Sequence, residues 1–149
     1  MLKPGDKLPP FTGINQDGDT IDSKSLAGKK LVVFFYPKAS TPGCTAEACN
    51  LRDNYGALLA QGFLLLGISA DSVKSQKNFS TKYGLPFDMI ADENRDIIGK
   101  FGVWQLKKFM GREFMGIVRT TFVFDETGTC VQVIDKVKTK DHASQILEA

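Results

Sequence analysis

The run Phe34-Phe35-Tyr36-Pro37-Lys38-Ala39-Ser40-Thr41-Pro42-Gly43-Cys44-Thr45-Ala46-Glu47-Ala48-Cys49 decides how the chain is read. An apolar strand enters a Pro/Gly-rich turn. The turn opens into a helix with one cysteine in its first turn and a second five residues on. Thr41 stands at the N-cap position and Pro42 at the first helical position, where its missing N–H costs nothing. Gly62 marks the stop, so the helix is expected from 42 to about 60. At helical spacing Cys44, Ala48, Leu51, Tyr55, Leu58 and Leu59 share a face. That face must pack on a sheet, which turns Cys44 inward.

Working outward, residues 31–36 and 63–69 are apolar at nearly every position, as in strands covered on both faces. Before them, 11–14 and 20–22 flank an Asp-Gly turn and read as an N-terminal β-hairpin. Ser25–Gly28 reads as one helical turn closed by Gly. After them come a helix over 72–83 capped by Asp71 or Ser72, a short strand at 87–90 and a short helix at 94–101. Residues 102–116 read as a long loop near the cysteine site. A strand at 117–124, a turn at 125–128, a strand at 130–134 and a closing helix at 139–148 complete the chain. Strands that alternate with helices and finish in a hairpin predict one α/β domain over 1–149. Its expected plan is thioredoxin-like, with a central mixed β-sheet flanked by helices and an N-terminal β-hairpin.

Composition excludes several classes. A chain of 149 residues, 42% hydrophobic and 24% charged, suits one ordinary globular core. Its net charge of +2 is too balanced to argue for nucleic acid or an anionic membrane. Lys136, Lys138 and Lys140 read as a solvated face. The first residues lack the apolar core of an export signal, and no apolar run reaches the roughly 20 residues of a membrane span. The expected compartment is the cytoplasm. There the three cysteines are too few for a disulfide scaffold. With one histidine, they also lack the paired spacing of a zinc site. No metal or organic cofactor is expected. His142 reads as a surface residue or one at a helix N-terminus, and Cys130 as a structural or incidental thiol.

Cys44 reads either as a buried small hydrophobe or as a reactive thiol. The nucleophile is the thiolate, and a free thiol of pKa about 8.5 is mostly protonated at neutral pH. A helix N-terminus, with about half a positive charge and unpaired N–H groups, favours the thiolate. Cys49 adds a constraint. Five residues of helix separate the two Cα atoms by about 8.5 Å, whereas a disulfide needs them within about 7 Å. The pair cannot bridge while the helix is intact, and it is not the Cys-x-x-Cys of a dithiol oxidoreductase. The spacing suits sequential duty, one cysteine reacting on the folded helix and the other after local unfolding.

Pro37-Lys38-Ala39-Ser40-Thr41-Pro42-Gly43-Cys44 resembles the Pro-x-x-x-Thr-x-x-Cys signature of peroxiredoxins. The longer run from Tyr36 to Asp53 resembles the bacterioferritin comigratory protein, or peroxiredoxin Q, subfamily. Leu66–Asp71, Phe101–Trp104, Phe109–Gly111 and Gly116–Phe122 carry the same flavour. The resemblance implies a thiol peroxidase acting on hydrogen peroxide and organic hydroperoxides. Cys44 would be the peroxidatic cysteine, passing through a sulfenic acid. Thr41 would orient the peroxide, besides capping the helix. Pro37 would shield the site, besides ending the strand. Arg119 would stabilise the thiolate and the charge spreading over the peroxide oxygens. An arginine in so apolar a strand is also costly to bury without a charged partner, which itself favours a site role. Cys49 would be the resolving cysteine. An intramolecular disulfide, reduced by thioredoxin or a similar dithiol, would then let a monomer complete the cycle. The same chemistry would also serve a peroxide-sensing redox switch acting on a protein partner, and only turnover separates the two.

Overall fold

The computed structural model describes residues 1–147. Its centre is a five-stranded mixed sheet. In chain order the strands are β3 (Lys30–Phe35), β4 (Phe63–Ser69), β5 (Asp88–Ala91), β8 (Thr120–Phe124) and β9 (Cys130–Ile134). In space they run β5-β4-β3-β8-β9. β3, β4 and β5 run parallel to one another, and β8 is antiparallel to both β3 and β9. Outside the sheet, β1 (Thr12–Ile14) and β2 (Thr20–Asp22) form the expected N-terminal hairpin. The fold is thioredoxin-like, as the order of elements predicts.

Side chains alternate across β3, so each of its faces builds a separate core. Val32, Phe34 and Tyr36 pack with Cys44, Ala48 and Leu51 of α1 (Pro42–Asp53), Leu58 of α2 (Tyr55–Ala60), Phe79 of α3 (Val73–Tyr83) and Ile146 of α5 (His142–Leu147). Leu31, Val33 and Phe35 face the other way, against Ile97, Ile98 and Phe101 of α4 (Asp96–Phe101). Burial on both faces explains why these strands are apolar without alternation. Gly67 is required in β4, where it lies between Phe34 of β3 and Met89 of β5. A Cβ there would lie 2.7 Å from Phe34 Cζ and 2.8 Å from Met89 Sδ.

Four local expectations are corrected. The helix expected over 42–60 breaks at Asn54, whose φ of −111° and ψ of 12° are not helical and whose N–H and side-chain amide both bond to Asn50 O. The break re-phases the second piece, so Leu58 is buried and Leu59 is exposed. Residues 102–116 are not a loop. β6 (Trp104–Phe109) and β7 (Arg112–Ile117) form an antiparallel hairpin, turned at Met110-Gly111 with φ of 50° and 78°. The strand expected over 117–124 is interrupted at Val118-Arg119, where the chain leaves β6 to pair with β3. His142 is no surface residue. It does open the last helix, but its side chain is fully buried. The closing helix expected over 139–148 is observed as His142–Leu147, and residue 148 lies outside the described residues. Lys136, Lys138 and Lys140 are exposed, as expected of a solvated face.

Candidate active site

Strand β3 delivers the chain to the site, and a polar network shapes the loop that follows. Ala39 N–H donates to Asp71 Oδ2 (2.8 Å), which also accepts from Ser69 Oγ (2.6 Å). Gln76 Nε2 donates to Ser69 Oγ, and Tyr36 OH donates to Gln76 Oε1. Burial pushes the Tyr36 phenol far up, so it remains a hydrogen-bond donor. Pro37 is half-buried and ends β3. Ser40 adopts a φ of 64°, unusual for a residue with a Cβ, just before the helix begins.

Thr41 occupies the N-cap position with an extended backbone, but its side chain makes no capping bond. Its Oγ1 donates instead to Lys38 O at 2.8 Å. That leaves the hydroxyl's lone pairs free to accept a hydrogen bond. It also leaves the first-turn N–H groups of Gly43 and Cys44 without a side-chain cap.

Cys44 follows in the first turn of α1, with 2% of its surface exposed. Arg119 reaches it from the corner between β7 and β8. Its Nη2 lies 3.3 Å from Cys44 Sγ, and its Nη1 lies 2.7 Å from Glu47 Oε1. One planar fork thus bridges a thiol and a carboxyl one helical turn apart. Burial works against the charge on Arg119, but Glu47 and Cys44 outweigh it and the guanidinium is held more firmly protonated than usual. The corner explains how a strand so apolar carries an arginine. Residue 119 lies outside both strands, and its charge meets a buried partner.

Glu47 is the residue that sequence reading missed. Its side chain is 0% exposed, and burial raises its carboxyl to about 7 although Arg119 pulls the other way. The signal was available, because Glu47 sits three residues after Cys44 and four before Leu51, on the apolar stripe itself.

Cys49 is half-buried on another side of α1, and all three cysteines are free thiols. The fold therefore brings Cys44 and Arg119 into contact, sets Thr41 one residue before the helix that carries Cys44, and keeps Cys49 apart. Cys130 is buried in β9 on the far core, and its thiol is pushed up by that burial. No helix among the described residues is long and apolar enough to cross a membrane.

Comparison with known proteins identifies the family. Residues 4–133 match the AhpC/TSA family. The chain is 41% identical to peroxiredoxin Bcp of Escherichia coli K12, covering 98% of this chain and 94% of that one. It is 38% identical to peroxiredoxin Bcp of Bacillus subtilis, covering 97% and 92%. Among solved structures, the bacterioferritin comigratory protein of Xanthomonas campestris superposes with a TM-score of 0.88 at 34% identity, covering 96% of each chain. A Xylella fastidiosa peroxiredoxin Q variant gives 0.93 at 27% identity, covering 99% and 94%. The chain belongs to the AhpC/TSA family, in its peroxiredoxin Bcp (peroxiredoxin Q) subfamily.

Proposed function

We propose that this thiol-dependent peroxidase works through Cys44, activated by Arg119 and resolved by Cys49. The observation that carries the proposal is the 3.3 Å approach of Arg119 Nη2 to Cys44 Sγ at the N-terminus of α1. The Cys44 thiolate attacks the terminal oxygen of a hydroperoxide. The O–O bond breaks, Cys44 becomes a sulfenic acid, and the departing alkoxide or hydroxide takes a proton from water. Arg119 stabilises the thiolate and the charge moving onto the leaving oxygen. The Thr41 hydroxyl accepts the peroxide's O–H, and the uncapped N–H groups of the first turn donate to it. Pro37 limits water on the strand side.

For resolution the first turns of α1 must unwind, since the intact helix holds Cys44 and Cys49 about 8.5 Å apart. The Cys49 thiol then attacks the sulfenic sulfur, water leaves, and an intramolecular disulfide forms. A dithiol such as thioredoxin reduces it by exchange. Every group in this cycle comes from one chain, which supports a working monomer. A reducing cytoplasm would supply the dithiol. Alkyl hydroperoxides are proposed beside hydrogen peroxide, because the Xanthomonas campestris relative has been studied for alkyl peroxide reduction.

The test is peroxide consumption coupled to thioredoxin, its reductase and NADPH. Turnover by the native chain, lost in Cys44→Ser, is expected. A rate no faster than that of Cys44→Ser would leave a peroxide-sensing switch as the better reading. Mass spectrometry after one equivalent of peroxide should find a Cys44–Cys49 link within one chain. A link from Cys44 to Cys130, or between chains, overturns the resolving step.

A further inference from the structure

Behind Arg119 lies a buried acid–imidazole pair built from two elements far apart in the chain. Glu47 is on α1 and His142 opens α5. Both side chains are 0% exposed, and Glu47 Oε2 lies 3.5 Å from His142 Nε2. Oε1 of Glu47 is occupied by Arg119, whereas Oε2 is buried with no hydrogen-bond partner.

Neighbouring groups fix the tautomer of the histidine. Gln145 Nε2 donates to Lys136 O, so Gln145 Oε1 is the atom that accepts from Lys138 N–H and faces His142 Nδ1 at 2.8 Å. An amide oxygen only accepts, so Nδ1 carries hydrogen. In neutral His142 the other nitrogen is then bare. Its single lone pair is shared: the Thr121 hydroxyl lies 2.7 Å away and Glu47 Oε2 lies 3.5 Å away with no donor of its own. A buried carboxylate oxygen with no donor beside a proton-free ring nitrogen is unfavourable, and a proton held between the two atoms removes the conflict.

We propose that Glu47 and His142 hold one proton between them, and that His142 is thereby a positioning residue that sets how much of the Arg119 charge is available to the Cys44 thiolate. With the proton held, Glu47 is a neutral acid and the guanidinium answers Cys44 alone. With the proton gone, Arg119 divides its charge between a carboxylate at Nη1 and a thiolate at Nη2, and two anions sharing one cation disfavour each other. The charged and titratable groups facing Glu47 are Arg119 from the β7–β8 corner, His142 from α5 and Cys44 from its own helix. Thr121 of β8 adds only a hydroxyl. Burial raises Glu47 to about 7 and lowers His142, so the exchange falls near neutral pH. The inference rests on Cys44 being the reacting thiol.

The experiment is the pH profile of the rate constant for peroxide with the reduced full-length protein, paired with infrared spectra of the same samples. In the native chain a descending limb is expected as pH rises through about 7, with a loss of up to about tenfold. Glu47→Gln should abolish that limb. Thr121→Val removes the hydroxyl competing for Nε2, so the proton is held more tightly and the limb should move up by about one pH unit. His142→Gln replaces the acceptor with an amide that donates to the carboxylate, so the limb should move down. A purely structural role would scale the profile without moving it. The infrared spectrum of the native protein below the limb should show a protonated carboxyl band that Glu47→Gln removes, a readout independent of whether the His142 variant folds. Absence of that band, or a limb unmoved in Thr121→Val, overturns the proposal. A protein inert to peroxide at every pH would overturn the reading of Cys44, and the rate-setting role of His142 with it, while the band would still report on the proton pair.

Discussion

Arg119 stands 75 residues from Cys44 in the chain and 3.3 Å from its sulfur in space. The same guanidinium bonds Glu47, so its plane is held from two sides. Arg119→Leu is expected to lower the second-order rate constant with hydrogen peroxide by roughly 100- to 1,000-fold. Arg119→Lys should recover only part of that, because an ammonium cannot serve Nη1 and Nη2 positions together. Stopped-flow oxidation of the reduced protein measures both. Equal rates in the native chain and Arg119→Leu would contradict the role.

Thr41 separates capping from catalysis. Its hydroxyl bonds Lys38 O and not the helix, so Thr41→Val should leave α1 nearly as stable as before. The peroxide rate should fall by roughly three- to tenfold, the worth of one hydrogen bond. Thr41→Ser, which keeps the hydroxyl, should retain the native rate. A rate loss in Thr41→Ser with none in Thr41→Val would point to packing of the methyl group instead.

Glu47 ties stability to pH. Its folded-state carboxyl is raised from 4.5 to about 7, so the native chain keeps a proton that the unfolded chain loses. Its contribution is present below about pH 4.5 and is lost as pH rises through about 7. His142, lowered by burial, acts in the opposite direction below its ordinary value near 6.5. The comparison that isolates the carboxyl is therefore native against Glu47→Gln. The stability advantage of the native chain over the variant should shrink between pH 5 and pH 8, by on the order of 3 kcal/mol. Urea denaturation at the two values decides it, and a constant difference would mean that the carboxyl is not raised.

Gly67 tests the core under the site. An added methyl would meet Phe34 and Met89 inside 3.0 Å. Gly67→Ala should cost about 1–3 kcal/mol through overpacking. Thermal unfolding of reduced protein measures it, and an unchanged melting temperature would show that these side chains can yield.

The strand, turn and first helical turn of 34–49 were legible because each signal agreed with the next. Apolar β-branched and aromatic residues run into Pro37, Thr41 takes the cap position, and Pro42 follows it. The β6–β7 hairpin was not legible. Its turn is Met110-Gly111, whereas Asn-Gly or Asp-Gly normally marks a turn with two positive φ values. Its apolar residues also fall on both faces. Leu106 pairs with Met115, and Lys107 pairs with Phe114, which leaves no alternation to read. Arg119 was found, but from the resemblance and the cost of burying it. The corner that releases it from the ladder depends on which strand each half pairs with, a non-local choice. The burial of His142 was hidden for the same reason, since its partners Thr121 and Glu47 come from β8 and α1.

Asn50 bounds the rearrangement that the proposed Cys44–Cys49 disulfide requires. Its Nδ2 donates to Lys140 O and its Oδ1 accepts from Ala143 N–H, so it caps α5 from outside, one residue past Cys49. Ala39 is tied to Asp71 at the other end. The stretch that must rearrange between them is thus a short tether with both ends fixed, and freeing it gains little loop entropy. In the proposed cycle residues 50–53, beyond that tether, would stay as a helical turn. After reduction of the proposed disulfide, α1 would regrow from that template by adding residues to an existing nucleus, avoiding the slow first turn of helix formation. In that cycle the clamp on Asn50 would make the return of Cys44 a zippering step.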